Sequence, residues 1–370
     1  MGRGIIFIFL FLISVCFSDE KPPDDRWVND NSLTLKLPEI NDDASTKISN
    51  GISVFPIVGY DPSTGFYFGG AFFHGDTEPP VKNLSIYAYG AFTGLLALDV
   101  RFKIWNTTNL FYNFSSLTTN FFDPYFGEGN NTNPQVAFPL NNFKTNLKVS
   151  TWYRFTRLLS SGIYTELNYR KENGVNGDST LRIFGDEFTP IVGLALVYDS
   201  RDHEFFTKHG CYLTGKVDWG PAFLSTGASA KDFIRFQAEG RFFVPFFSNL
   251  VWGSELRLGT AIGNPGYLYR YALGGSLDMR GYQINRLRGQ HFYEAQTELR
   301  IDILSWFGVV GFFAVGDTAN ISFSDFMKPK LTEGFGLRFG LPPDFVAKVR
   351  MDLGFSQDEW AFYLNFNEAF

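Results

Sequence analysis

Residues Leu273–Ile303 read LGGSLDMRGYQINRLRGQHFYEAQTELRIDI. Two patterns adjoin in this stretch. The first half is Gly-rich and basic, with Arg280-Gly281-Tyr282 followed by Arg286-Leu287-Arg288-Gly289. The second half alternates with a period of two, the signature of a strand. Tyr293, Ala295, Thr297, Leu299, Ile301 and Ile303 fall on one face, and Glu294, Gln296, Glu298, Arg300 and Asp302 on the other. In a water-soluble sheet the apolar face meets a core and the charged face meets water. In a membrane barrel the apolar face meets lipid and the charged face lines the lumen.

The same period runs through the rest of the chain. Arg235, Gln237, Glu239 and Arg241 alternate with Ile234, Phe236, Ala238, Gly240 and Phe242. Glu255 and Arg257 alternate with Trp252, Leu256 and Leu258, and Lys348, Arg350 and Asp352 with Val349, Met351, Leu353 and Phe355. No amphipathic helix of useful length interrupts them. One face carries charges strand after strand while the other is rich in Phe, Trp and Leu, which does not suit the finite dry core of a sandwich or lipocalin-like barrel. Aromatic residues make up 18% of the 370, with 43 Phe and 17 Tyr, against 19% charged. Lipid-facing strands with aromatic girdles need such a composition. Mean hydropathy is only -0.07 because lumen and lipid faces cancel. The net charge of -6 excludes the basic footprint of a nucleic-acid binder.

Counting segments back from the end gives an all-β fold: a transmembrane antiparallel β-barrel of about sixteen strands, an even number as closure requires. Connections expected to be long and polar, Asp123 to Leu140 and Glu172 to Thr189, alternate with short ones, Asn106 to Asn109 and Leu341 to Asp344. Residues 1–18 read as a secretory signal peptide, with Arg3, an apolar run from Ile5 to Val15 and cleavage after Ser18. Cys16 as a lipoprotein cysteine is the alternative there. Residues 19–50, polar and carrying Pro22, Pro23 and Pro38, read as a flexible periplasmic leader, and 51–370 as the barrel.

The mixed charges of the inner face suit either a solvent-filled pore or a plugged interior in which they pair, since buried charges need partners. Likewise Arg280, Arg286 and Arg288 either fold inward against that lining or lie on an exposed extracellular loop. Other chemistry finds no support. Gly334-Phe335-Gly336 lies inside an alternating strand and is no nucleotide loop. The four His are scattered, His203 and His209 lack a ligand set, and no GxSxG elbow occurs. Asp199-Ser200-Arg201-Asp202 reads as a turn tied by its own hydrogen bonds. The expectation is therefore a protein that is not an enzyme and binds no cofactor or metal.

Several motifs in order resemble one family. Arg280-Gly281-Tyr282 after Gly274-Gly275 resembles the inward-folded sixth-loop motif of the BamA/TamA outer-membrane assembly superfamily, also called bacterial surface antigen barrels. Pro56-Ile57-Val58-Gly59-Tyr60-Asp61-Pro62 with Thr64-Gly65 resembles its opening hairpin, Tyr198-Asp199-Ser200-Arg201-Asp202 its mid-barrel turn, and Gly334-Phe335-Gly336-Leu337-Arg338 its third-last strand. The terminal FYLNFNEAF, with Phe362, Leu364, Phe366 and Phe370, resembles the signal strand read by the insertion machinery. The resemblance implies a loop Arg held against an acidic lumen residue, with Asp302, Asp317 and Asp352 as candidates because Ala314 stands where an Asp is often found. It implies a seam between first and last strands that opens sideways, for which Pro56 suits a weakly paired edge or is simply a strand start. It also implies insertion or translocation of proteins at the bacterial outer membrane, in contact with its lipid and with an assembly-machine or periplasmic partner. The leader is too short for the POTRA domains usual in the family, so a structural subunit or passive pore of an outer-membrane complex is the alternative function, and a role in lipid handling a third.

Overall fold

The computed structural model describes residues 51–370, apart from 76–81, 106–108, 130–131, 134–136, 176–179, 181, 204–205, 228–230, 321–325, 327–328, 342–347 and 367. The expected signal peptide and leader lie outside the described residues.

Sixteen antiparallel strands close into a barrel. Its wall runs through β1 (Gly51–Asp61), β2 (Gly65–Gly75), β3 (Lys82–Ala91), β4 (Leu96–Trp105), β5 (Leu110–Tyr125), β6 (Phe138–Arg154), β7 (Leu159–Val175) and β8 (Glu187–Asp199). It continues through β9 (Gly210–Gly220), β10 (Phe233–Phe247), β11 (Leu250–Gly263), β14 (His291–Leu304), β15 (Phe307–Ala319), β16 (Lys330–Gly340), β17 (Lys348–Ser356) and β18 (Trp360–Phe366). The short β12 (Tyr271–Leu273) and β13 (Leu287–Gly289) pair with each other in the connection between β11 and β14, and Arg288 of β13 also bridges Gly129.

Faces follow the alternation of the sequence. On β10, Ile234 and Phe236 are about two-fifths exposed while Arg235 and Glu239 are buried, and on β8 Leu194 and Leu196 stand outward. A continuous outer band of exposed Phe, Leu, Ile and Val is unsuited to water and suited to lipid. No helix among the described residues is long and apolar enough to cross a membrane; any crossing is by strands. The strands of β5, β6 and β7 are 16, 17 and 17 residues long, beyond the roughly 9–11 that span a bilayer. They take in part of both polar connections expected as loops, which shrink to 126–137 and 176–186.

The long–short asymmetry of connections holds through the middle of the chain. Residues 126–137, 176–186, 221–232 and 264–290 lie at one end, and 155–158, 248–249 and 305–306 at the other, where β1 begins. Next to the junction of β1 and β18 it fails, because 62–64, 92–95 and 357–359 are all tight. The 200–209 turn is the long exception at the near end. It is tied as its residue types suggest: Arg201 donates to Asp199 through both backbone N–H and guanidinium, and the backbone N–H groups of Lys208 and His209 donate to Asp202.

Neighbouring wall strands pair over seven or more residues, with one exception. Between β1 and β18 a single pair is in register among the described residues, Tyr60 with Leu364. By contrast β1 and β2 pair over their full length. The barrel closes, but among the described residues this seam is the most weakly registered junction in the wall.

Candidate functional site: the folded-in loop and the seam

The 264–290 connection folds inward and fills the lumen. Local chemistry shapes it: a 3-10 turn at Tyr267–Tyr269, the β12–β13 ladder, and left-handed backbone at Met279 and Asn285. Leu273, Met279, Tyr282 and Leu287 are fully buried and pack with Tyr271, Ala261, Phe292 and Ala314, so the loop carries its own small apolar core against the wall. Arg280, Arg286 and Arg288, exposed at 1%, 1% and 5%, lie inside rather than on an external surface. Of the two interiors the sequence allowed, this is the plugged one.

Arg280 sits at the centre. One terminal nitrogen donates to Asp352 Oδ2 on β17 at 2.8 Å, and the other lies 2.5 Å from Glu298 Oε1 on β14. Its guanidinium stacks 3.6 Å from the centroid of the Phe312 ring on β15. A fork-shaped, permanently charged group can bridge two carboxylates and present its flat face to an aromatic ring at once; an ammonium cannot. Asp352 also holds Arg338 at 2.6 Å and Arg350 at 3.5 Å, and Glu298 holds Arg300 at 2.8 Å. Arg350 in turn donates to the Ser276 carbonyl of the loop.

The backbone around Arg280 is fitted to the wall as closely as the side chain. Gly281 has φ +117, and a Cβ there would meet the Phe355 backbone at 2.7 Å. A Cβ on Gly354, opposite, would meet the Arg280 carbonyl at 2.6 Å. Two glycines thus let the loop main chain lie directly on β17. The Gly281 N–H donates to the Tyr363 hydroxyl at 3.1 Å, and that hydroxyl donates to the Tyr282 carbonyl at 2.8 Å. Tyr363 belongs to β18, so the loop is tied to a seam strand.

A second tie crosses the seam. Tyr67 on β2 donates to Asn365 on β18 at 2.7 Å, reaching over β1. Its ring lies where a Cβ on Gly59 would be, so glycine at that point of β1 makes the crossing possible. Further toward the far end, Arg286 lies 3.3 Å from Glu359 and donates to Thr132, while Asp123 receives Tyr267, Lys144 and Asn285 with Arg288 at 3.9 Å.

Of the three acids proposed for Arg280, only Asp352 meets it. Asp302 lies at the near end of β14, paired with Lys348 at 2.9 Å and Lys208 at 3.1 Å, because the strand carries it away from the loop tip. Asp317 is buried near the other end of the wall and accepts the Thr318 N–H at 2.8 Å. Among the residues of the expected signal strand, Phe362, Leu364 and Phe366 lie on one face of β18, but Phe370 does not continue it. It is buried in the lumen, its carbonyl accepting from Arg300 at 2.9 Å. Glu298 was legible only as an inner-face charge, and Phe312, Tyr363 and the Tyr67–Asn365 pair carried no signal in a single sequence. Glu255, Asp278 and Glu294 form the one carboxylate triad compact enough for a metal among the described residues. Arg257 already holds it, at 2.9 Å from Asp278 and 2.5 Å from Glu294.

Comparison with solved structures places this architecture. BamA from Haemophilus ducreyi lacking POTRA domains 1–3 aligns with a TM-score of 0.61 at 11% identity over 85% of this chain. CdiB from Escherichia coli aligns with 0.61 and CdiB from Acinetobacter baumannii with 0.58, each at 12% identity over 85% of this chain. The chain spans 70% of the BamA structure and about three-fifths of the CdiB chains. At such identities the likeness is one of fold. No curated protein sequence matches the chain. The Omp85 superfamily domain model matches residues 101–370, most of the barrel, and the chain therefore belongs to the Omp85 superfamily.

Proposed function

We propose that this barrel inserts or translocates other proteins at the bacterial outer membrane, by sideways opening of the β1–β18 seam, with Arg280 locking the interior. The observation that carries the reading is the single registered pair at the seam, beside a lumen filled by a loop bonded to β18. An edge with unpaired backbone groups in lipid is costly unless a further strand can take them. A client strand is such a partner. The filled lumen speaks against a passive pore. On this reading the protein is no enzyme and needs no cofactor or metal, residues 1–18 direct secretion, the Lys208–Asp302–Lys348 end faces the periplasm, and Phe362, Leu364 and Phe366 belong to the strand its own insertion machinery reads. A periplasmic partner would meet that end.

The test is a staple across the seam. Cysteines replacing Tyr60 and Leu364, the registered pair, are oxidised in proteoliposomes offered an unfolded outer-membrane barrel as client. Oxidation should stop client insertion and reduction restore it. A stapled barrel that works at the unstapled rate would exclude seam opening.

A further inference from the structure

We infer that the turn at 221–226, in the connection from β9 to β10, is a foot that lies on the membrane and puts Phe223 and Leu224 into lipid. The leaflet is that of the far end, the outer one if the Lys208–Asp302–Lys348 end faces the periplasm. The 3-10 turn Ala222–Leu224 buries none of its residues, and Phe223 is 76% exposed and Leu224 49%. Their place is continuous with the lipid-facing wall. The Phe223 ring lies 6.3 Å from that of Trp219, the last outward side chain of β9. Trp219 is flanked in register by Val192 of β8 and Ile234 of β10, and all three are about two-fifths exposed.

The wall sets the depth of this turn. Ile234 of β10 pairs with Trp219, and Val244, ten residues on, pairs with Trp252, which stacks on Phe246 at the near end. Ten strand steps of about 3.3 Å, tilted by about 40°, rise roughly 25 Å, the height of the apolar band of a membrane barrel. The two tryptophans therefore stand at the two interfaces, where indole rings concentrate. Phe223, four residues past Trp219, falls at the boundary of headgroups and acyl chains. The chemistry of the turn agrees. Residues 221–230 carry no charge, whereas the connections 126–137 and 176–186 carry Glu128, Arg182 and Asp186. Polar groups of the turn are bonded within the protein. The Ala222 N–H donates to Asp232 at 2.9 Å, the Ser225 hydroxyl to the Pro221 carbonyl at 2.8 Å, and the Leu224 and Ser225 N–H groups to Pro221 and Ala222 carbonyls. Thr226 exchanges two backbone hydrogen bonds with Phe188, which pins the turn to the far end of β8. Gly227, at φ +78, makes that pinning possible, since a Cβ there would run into the Asp186 carbonyl. A pinned turn with its polar groups satisfied and two large apolar side chains outward gains by entering the interface and leaves no bare amide in lipid.

The foot requires that the barrel stand in a membrane and is independent of whether its seam opens. The test places p-benzoylphenylalanine in the full chain, one site at a time, in phosphatidylcholine vesicles, and reads lipid adducts by intact mass after illumination. Leu194, outward on β8, is the reference site, and Arg182, exposed in the 176–186 connection, is the comparator. Phe223→p-benzoylphenylalanine should give lipid adducts at a yield comparable with the Leu194 probe and several-fold above the Arg182 probe. A yield no higher than at Arg182, with Leu194 labelled, would overturn the foot. An absence of adducts at Leu194 would overturn the membrane position of the wall and the foot with it. Crosslinking of the Phe223 probe to another protein chain in cell membranes, without lipid adducts in vesicles, would assign the surface to a protein partner and likewise overturn it.

Discussion

Replacing Arg280 by Ala removes the group that bridges β14 and β17 through the loop. Breaking a buried ion pair from one side costs about 3–5 kcal/mol because the partner charge stays buried. Here neither partner is stripped bare: Asp352 retains Arg338 and Arg350, and Glu298 retains Arg300. The lower end of the range, about 3 kcal/mol, is therefore expected. Loss of the Phe312 stacking contact, desolvated inside the lumen, adds about 2 kcal/mol. At roughly 2–4 °C per kcal/mol for a large domain, the melting temperature should fall by about 10–20 °C. The assay is heat-dependent gel migration together with a fluorescence melt in one detergent, read as a rate where unfolding is irreversible. Arg280→Lys is the control. It keeps the charge but lacks the planar fork that spans the two carboxylates while stacking on Phe312, so it should fall between wild type and Ala. An Ala variant that melts with the wild type, or a Lys variant less stable than Ala, would refute the bridging account.

Other consequences can be checked in parallel. Gly281→Ala or Gly354→Ala should lift the loop off β17 and expose residues 276–290 to limited proteolysis, since each new Cβ meets main chain under 3 Å away. Tyr67→Phe should cost about 1 kcal/mol, and amide exchange should quicken in β1 while the fully paired β10–β11 ladder stays protected. In planar bilayers the wild type should conduct little, and deletion of residues 276–288 should open a large pore; a wild type already conducting like the deletion would contradict the plug. Glu172→Ala should loosen the 176–186 connection, because its carboxylate accepts the N–H groups of Ile183, Phe184 and Gly185; protease cutting near residue 183 would rise if so.

The barrel itself was legible in the sequence, because a two-residue period with lipid on one face and charge on the other is written locally. Ile234 and Phe236 against Arg235 and Glu239 need no tertiary knowledge to be sorted. The even strand count follows from closure, and the Gly-flanked Arg280 marked the loop. What one sequence cannot carry is which inner-face charges meet. Asp302, Asp317 and Asp352 are chemically alike, and only strand stagger decides that Asp352 and Glu298 come level with the loop tip while Asp302 stays at the near rim. The inward course of residues 368–370 was likewise hidden: the alternation through Phe362, Leu364 and Phe366 predicts a strand running on, and Glu368 breaks from it to pair with Arg338 of β16, two strands along the wall. The weakness of the seam belongs to the same class. Pro56 left it open, and closure of a sixteen-strand ring, a property of all strands at once, decided that β1 and β18 share one registered pair among the described residues. Local periodicity determines faces and elements; register, stagger and long-range charge pairing depend on distances between residues far apart in the chain, which only the folded barrel sets.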